Sequence, residues 1–159
     1  MFLWFAGVAF VLVWLTFGSP ALDYRLVVLG AVAPVAEVGV GPQVLHALVG
    51  PVVVLAVVMV VTRGRRLLRR RWLGLPIGLF VHLVADLTWA DQERFWWPAF
   101  GSDLEAGRVP ELERALGLIL VLEVIGGLTL AWCWVRFGLT DPDRRSRFWH
   151  SGQLSRDLV

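Results

Sequence analysis

This sequence of 159 residues contains no lysine and only one cysteine. The single thiol, Cys133, lies in an apolar run, so an internal disulfide is excluded and a buried, unreactive side chain is expected. All 15 basic residues are therefore arginines, and the formal net charge is +2. Hydrophobic residues make up 57% of the chain, with a mean hydropathy of +0.68. They fall in long runs, which is typical of membrane spans and leaves little chain for a soluble domain.

The apolar runs predict an all-α integral membrane protein, a four-helix bundle with spans at about residues 2–18, 44–62, 73–89 and 112–135. No basic residue precedes the first run, which favours a retained helix over a signal peptide. We expect one transmembrane domain, residues 1–138, and a cytoplasmic tail, residues 139–159. Pro34 and the Gly- and Pro-rich residues after it predict an irregular, re-entrant or half-helical segment at 26–41.

The arginines predict the orientation in the cell membrane. Six lie between Arg63 and Arg71, and five follow residue 135, so the positive-inside rule places both regions in the cytoplasm. With four spans, both termini are cytoplasmic and residues 19–42 face outward. If residues 26–41 cross fully, the chain has five spans and its N-terminus is outside. In either arrangement we expect an outer aromatic belt, formed by Trp89, Trp96 and Trp97.

Ionisable residues at membrane depth are costly, and each one is a candidate functional residue. His82 and Asp86 are four residues apart on a predicted helix and share one face. The four-span topology collects Asp23, Glu37 and His46 with them in the outer half of the bundle. Two histidines and two or three carboxylates suit zinc, manganese or iron, and such an ion can activate water for hydrolysis.

The same residues also have simpler interpretations. His82 and Asp86 can hydrogen-bond each other or hold neighbouring helices together. Asp23 can pair with Arg25 at the headgroups. Three roles are open for Glu123: membership of the site, a pair with an arginine, or contact with a neighbouring subunit in a homo-oligomer. The arginine run is predicted to touch anionic lipid rather than nucleic acid, because a short basic loop is a weak nucleic-acid footprint.

Several motifs occur in a familiar order: Asp23-Tyr24-Arg25, an apolar stretch ending at Pro34 with an acid after it, His82-Leu-Val-Ala-Asp86, and Phe95-Trp96-Trp97-Pro98. Over residues 22–101 the chain resembles the membrane-bound metal-dependent hydrolases of the YdjM type. The resemblance implies His46, His82 and Asp86 as metal ligands, with Glu37 as an additional acid. The first motif departs from the family pattern. Val35 stands where the family usually has Asp, and Leu45 stands where it usually has Gly or Thr. Ala47 stands where it usually has Ser.

The sequence thus predicts a membrane-bound metal-dependent hydrolase that acts on a lipid-linked or envelope substrate. His46, His82, Asp86 and Glu37 would hold the ion, with Asp23 or another carboxylate as the base. One alternative is a non-catalytic membrane protein with a structural or partner-binding role. Another is a small transporter subunit that moves protons through Asp86 and Glu123, although no internal repeat is visible. The expected partners are the lipid bilayer and a small-molecule or lipid substrate.

Overall fold

The computed structural model describes residues 1–38, 43–100 and 114–155, and these residues form helices without a β-strand. The all-α prediction is confirmed. Positions outside these ranges include Arg108, Arg156 and residues 112–113, the predicted start of the fourth span. The α-helices are α1 (Phe2–Phe17), α2 (Tyr24–Glu37), α3 (Val49–Val61), α4 (Arg66–Trp72), α5 (Gly74–Ala85), α6 (Gln92–Phe95), α7 (Leu116–Arg136) and α8 (Pro142–Ser151), with single 3-10 turns at Val44–His46 and Thr88–Ala90.

The segment predicted to be irregular is helical as far as Glu37. The carboxylate of Asp23 accepts a hydrogen bond from the backbone N–H of Arg25 and thereby caps the first turn of α2. Pro34 lies in the last turn, where the N–H of Val38 still donates to its carbonyl oxygen at 3.3 Å. A helix of this length separates Asp23 from Glu37 by about 20 Å.

Two glycines allow α2 and α5 to pack backbone against backbone. A Cβ atom on Gly78 would overlap the carbonyl oxygen of Val27, and one on Gly30 would overlap that of Leu75. Close approach through small residues is a common way for membrane helices to associate. The contact fixes which residues of α5 lie beside which residues of α2, and therefore positions the end of α5.

The bundle has two ends of different chemistry. The histidine end contains His46, His82, Asp86 and Arg114, and the arginine end contains Asp23 and the segment 63–71. Between them α1, α2, α3, α5 and α7 run in alternating directions. The ring of Phe5, near the start of α1, packs on His82 with centroids 4.1 Å apart. Because α2 covers the full distance, the described chain passes five times from one end of the bundle to the other.

Helix α7 is the one helix among the described residues that is long and apolar enough to cross a membrane. It has 21 residues and a mean hydropathy of 2.1 over its most apolar window, of which 11% is buried. Helices α1 and α3 are apolar but shorter. Length and composition therefore identify one candidate span, fewer than the four that the sequence predicts.

The segment predicted as a cytoplasmic tail packs against the bundle. Phe148 on α8 and Leu154 after it are both buried in the core formed with α1 and α2. The backbone N–H of Tyr24 donates to the carbonyl oxygen of Gly152 at 2.8 Å. These apolar side chains would otherwise be exposed to water, and so the folded unit continues past residue 138 to the end of the described chain.

Candidate metal centre

Three predicted ligands meet at the histidine end. Each of His46, His82 and Asp86 offers a ligand atom, and these atoms all lie within 4.8 Å of one another. His46 belongs to the 3-10 turn before α3, His82 lies in the last turn of α5, and Asp86 directly follows that helix. All three side chains are fully buried. The tertiary structure thus adds His46 to the pair that helical spacing already predicted.

The imidazole of His82 is oriented by the backbone of α2. Its Nδ1 lies 2.7 Å from the carbonyl oxygen of Ala31, which can only accept a hydrogen bond. The proton of a neutral ring is therefore assigned to Nδ1, and the lone pair belongs to Nε2. A histidine that donates its other N–H to a carbonyl is the usual arrangement of a metal ligand, because the bond fixes both tautomer and ring orientation.

Glu37 lies next to His46. Its Oε2 accepts a hydrogen bond from the N–H of Leu45 at 2.9 Å and lies 3.7 Å from Nδ1 of His46. The rings of His46 and His82 are perpendicular, with centroids 5.2 Å apart. From this position Glu37 can hold the ring of His46, which is the role that carboxylates often have behind ligating histidines.

Two further side chains hold Asp86. The guanidinium of Arg114 lies 3.1 Å from Oδ1 and also donates to the backbone carbonyl of Asp86 at 2.9 Å. The hydroxyl of Thr88 donates to Oδ2 at 3.3 Å. Arg114 was not predicted as part of the site. It lies at the start of the span predicted at 112–135, where an ionisable residue is a candidate functional residue, and this was the signal in the sequence that could have found it.

Asp23 does not lie with these residues. It caps α2 at the arginine end, where Arg25 donates to both of its carboxylate oxygens and Arg71 donates to Oδ2 at 3.0 Å. Burial alone would raise its pKa, but the hydrogen bonds and charge of Arg25 and the bond from Arg71 hold the pKa below the ordinary value of 3.8. The continuous helix α2 is the reason for the separation, because it carries the chain from one end to the other.

Glu123, whose role was open, contacts the start of α1. Its Oε2 accepts a hydrogen bond from the N–H of Leu3 at 2.9 Å, and its Oε1 lies 3.3 Å from the amino group of Met1. Unpaired N–H groups at a helix start favour a negative charge. Glu123 therefore joins α7 to α1 and is not among the residues that the structure groups as metal ligands.

Two imidazole nitrogens and a carboxylate oxygen form a donor set that suits zinc, manganese or iron. The hydrogen bond from His82 to Ala31 is the support that such a ligand usually has, and the carboxylate of Glu37 lies 3.7 Å from His46. The residues present therefore fit a divalent transition-metal ion.

Comparison with known proteins gives no further identification. No protein-family model matches the chain, and neither a curated protein nor a solved structure is similar to it. The resemblance to hydrolases of the YdjM type stays a prediction from the sequence motifs.

Proposed function

We propose that this chain is a multi-pass membrane protein that binds a divalent transition-metal ion at the histidine end of its bundle. His46, His82 and Asp86 supply the ligands, and Glu37 holds His46 or completes the set. The observation that carries the proposal is the convergence of three ligand atoms within 4.8 Å, with Nδ1 of His82 already engaged by Ala31. If His82 and Asp86 only held helices together, a second histidine beside them, and a His82 ring already oriented by Ala31, would not be needed.

The chemistry that we propose for the site is hydrolysis of a lipid-linked or envelope substrate. A divalent ion held by these residues would supply a water molecule of lowered pKa and would polarise the bond to be cleaved. The bond to Ala31 leaves Nε2 of His82 as the nitrogen that can bind an ion, and Arg114 offers a positive charge next to Asp86. Asp23 has no part in this proposal, since it is bound to arginines at the other end of the bundle.

A structural role for the same centre is the second candidate. Complete burial of His46, His82 and Asp86 favours it, because closed metal sites are usually structural whereas catalytic sites keep an open position. In that case the ion, or the polar network alone, would fasten α5 and the turn before α3 without any reaction.

Metal content tests the proposal. Protein purified gently in detergent and reconstituted with zinc, manganese or iron should retain about one ion per chain, measured by elemental analysis. His82→Ala should lose it. His150→Ala is the matched control, because His150 is exposed on α8 at the arginine end, and it should keep the ion. Wild-type protein without stoichiometric metal would refute the metal centre.

Hydrolysis is tested separately with chromogenic carboxylic-ester and phosphodiester probes in mixed micelles. The hydrolase proposal expects turnover that requires metal and disappears in His82→Ala but not in His150→Ala. Full metal occupancy without any turnover of either probe class would favour the structural role instead.

The helix order supports five membrane crossings, with the N-terminus outside and the arginine end in the cytoplasm. A topology reporter inserted after Ser19 distinguishes the two arrangements, because this point is cytoplasmic with five crossings and external with four. A second insertion at Gly64 is cytoplasmic in both and serves as the control. An external signal after Ser19 would restore the four-span arrangement.

A further inference from the structure

A groove lies between α3 and the α4–α5 corner at the arginine end. It has a volume of about 470 Å³. The α3 side is a row of valines that includes Val53, Val57 and Val61, each more than half exposed. Leu68 and Trp72 of α4 form the opposite wall. The groove is therefore almost entirely apolar, and its volume can accommodate a hydrocarbon chain.

Arg69 contacts the rim of this groove. Thr62 lines it, and the hydroxyl oxygen of Thr62 accepts a hydrogen bond from Nε of Arg69 at 3.4 Å. The same hydroxyl donates to the carbonyl oxygen of Val58 at 2.6 Å, which fixes its position. Arg69 is thus tied by one edge of its guanidinium to the rim of the groove, and its terminal nitrogens can meet a ligand that enters there.

The positive charge of the arginine run is not balanced by acidic residues in the neighbouring sequence. Residues 38–85 contain six arginines and no aspartate or glutamate. Among the contacts that the structure gives for these six arginines, only Arg71 has an acidic partner, and that partner is Asp23 at the start of α2. Exposed arginines with this excess of positive charge attract an anionic group and repel a second copy of the same surface.

We propose that the groove is a binding site for one anionic phospholipid of the bilayer. An acyl chain fills the space between the α3 valines and Trp72, and the phosphate meets Arg69 at the rim. The site rests on the proposed membrane location and is independent of the metal centre at the other end. Basic pockets between helices on the cytoplasmic side are a known way to hold anionic headgroups.

Native mass spectrometry of delipidated protein in detergent tests the site with dioleoyl phosphatidylglycerol and dioleoyl phosphatidylcholine. The two lipids share their acyl chains and differ in headgroup charge. We expect wild-type protein to bind the anionic lipid at least tenfold more tightly. Equal affinity for the two lipids would overturn the proposal. A protein that needs no detergent to stay monomeric would instead refute the membrane location on which the site rests.

One pair of variants separates a defined site from diffuse attraction. Arg69→Gln should weaken binding of the anionic lipid about fivefold, the effect of one arginine near the headgroups. Arg70→Gln removes the same charge from the exposed side of α4 and should change the affinity less. Equal losses in the two variants would show diffuse attraction and refute a site built around Arg69.

The acyl-chain part is tested by filling the groove. Val57→Phe should weaken binding of both lipids, because the new ring occupies the space of the chain. Val124→Phe is the matched control on the exposed face of α7, where Val124 is 61% exposed. Unchanged binding in Val57→Phe, or a dimer of wild-type protein that this variant abolishes, would show that lipid is not the occupant.

Discussion

Each end of the bundle holds one buried aspartate, and the two differ in what surrounds them. Asp23 is enclosed by donors from Arg25 and Arg71, which neutralise it and hold α2 to the arginine segment. Asp86 has one arginine partner and two histidines close by, whose ring nitrogens can share an ion with it. An acid paired with permanent cations is a structural element, whereas an acid grouped with imidazoles can become a ligand.

The largest expected effect concerns metal retention by the two aspartates. Asp86→Asn should lower the metal affinity more than about 100-fold, since changes to groups that merely orient a ligand already cost about 10–100-fold. Asp23→Asn, at the other end, should leave the affinity unchanged. A competition titration with a chromogenic chelator measures both values. Similar losses in the two variants would remove the distinction between the ends.

A second prediction concerns stability, with Asp23 as the important residue. Asp23→Asn should lower the free energy of unfolding by about 2 kcal/mol, because hydrogen bonds to charged groups contribute about 1.5–3 kcal/mol each and the arginines regain water only in part. Denaturant unfolding of the detergent-solubilised protein gives this value. A loss below about 0.5 kcal/mol would show that Arg25 and Arg71 are not held by Asp23.

The role of Glu37 sharpens the description of the histidine end. Glu37→Gln keeps an acceptor near His46 but removes the charge, and it should lower the metal affinity about tenfold if Glu37 only orients that ring. The chelator titration used for Asp86 can measure this. A loss as large as that of Asp86→Asn would make Glu37 a direct ligand.

The smallest expected effect is the pH dependence of stability at the arginine end. The folded-state pKa of Asp23 is lowered from 3.8, so its stabilising contribution is fully present above that value. The contribution is lost as the pH falls through the lowered pKa. The difference in stability between wild type and Asp23→Asn should therefore be constant above about pH 5 and shrink below pH 3.8. A difference that grows on acidification would contradict the ion pairs.

Local sequence patterns predicted much of the candidate metal centre. His82 and Asp86 are four residues apart on an apolar run, and helical geometry alone places them on one face. The apolar runs also predicted where α1 and α7 lie. These features depend on residues within about one helical turn of each other, and such neighbours can be read directly from the sequence.

The position of Asp23 could not be obtained in this way. Pro34 suggested that the helix breaks, and a broken segment would have returned Asp23 and Glu37 to the same side. In the structure Gly30 and Gly78 allow α2 and α5 to touch along their length, and this packing accompanies an unbroken helix past the proline. Whether a helix continues is decided by such contacts with a partner distant in sequence.

By itself the sequence determined that this protein is helical, that its long helices are apolar, and that His82 and Asp86 lie on the same face. Which of the predicted site residues meet was decided by the tertiary structure: His46 lies with His82 and Asp86, whereas Asp23 lies with the arginines. It also showed that Arg114 contacts the carboxylate of Asp86 and that Glu123 accepts a hydrogen bond from the first turn of α1. The physical reason is the same for each. Spacing along one helix determines in which direction each side chain points, but only the packing of different helices determines which side chains meet.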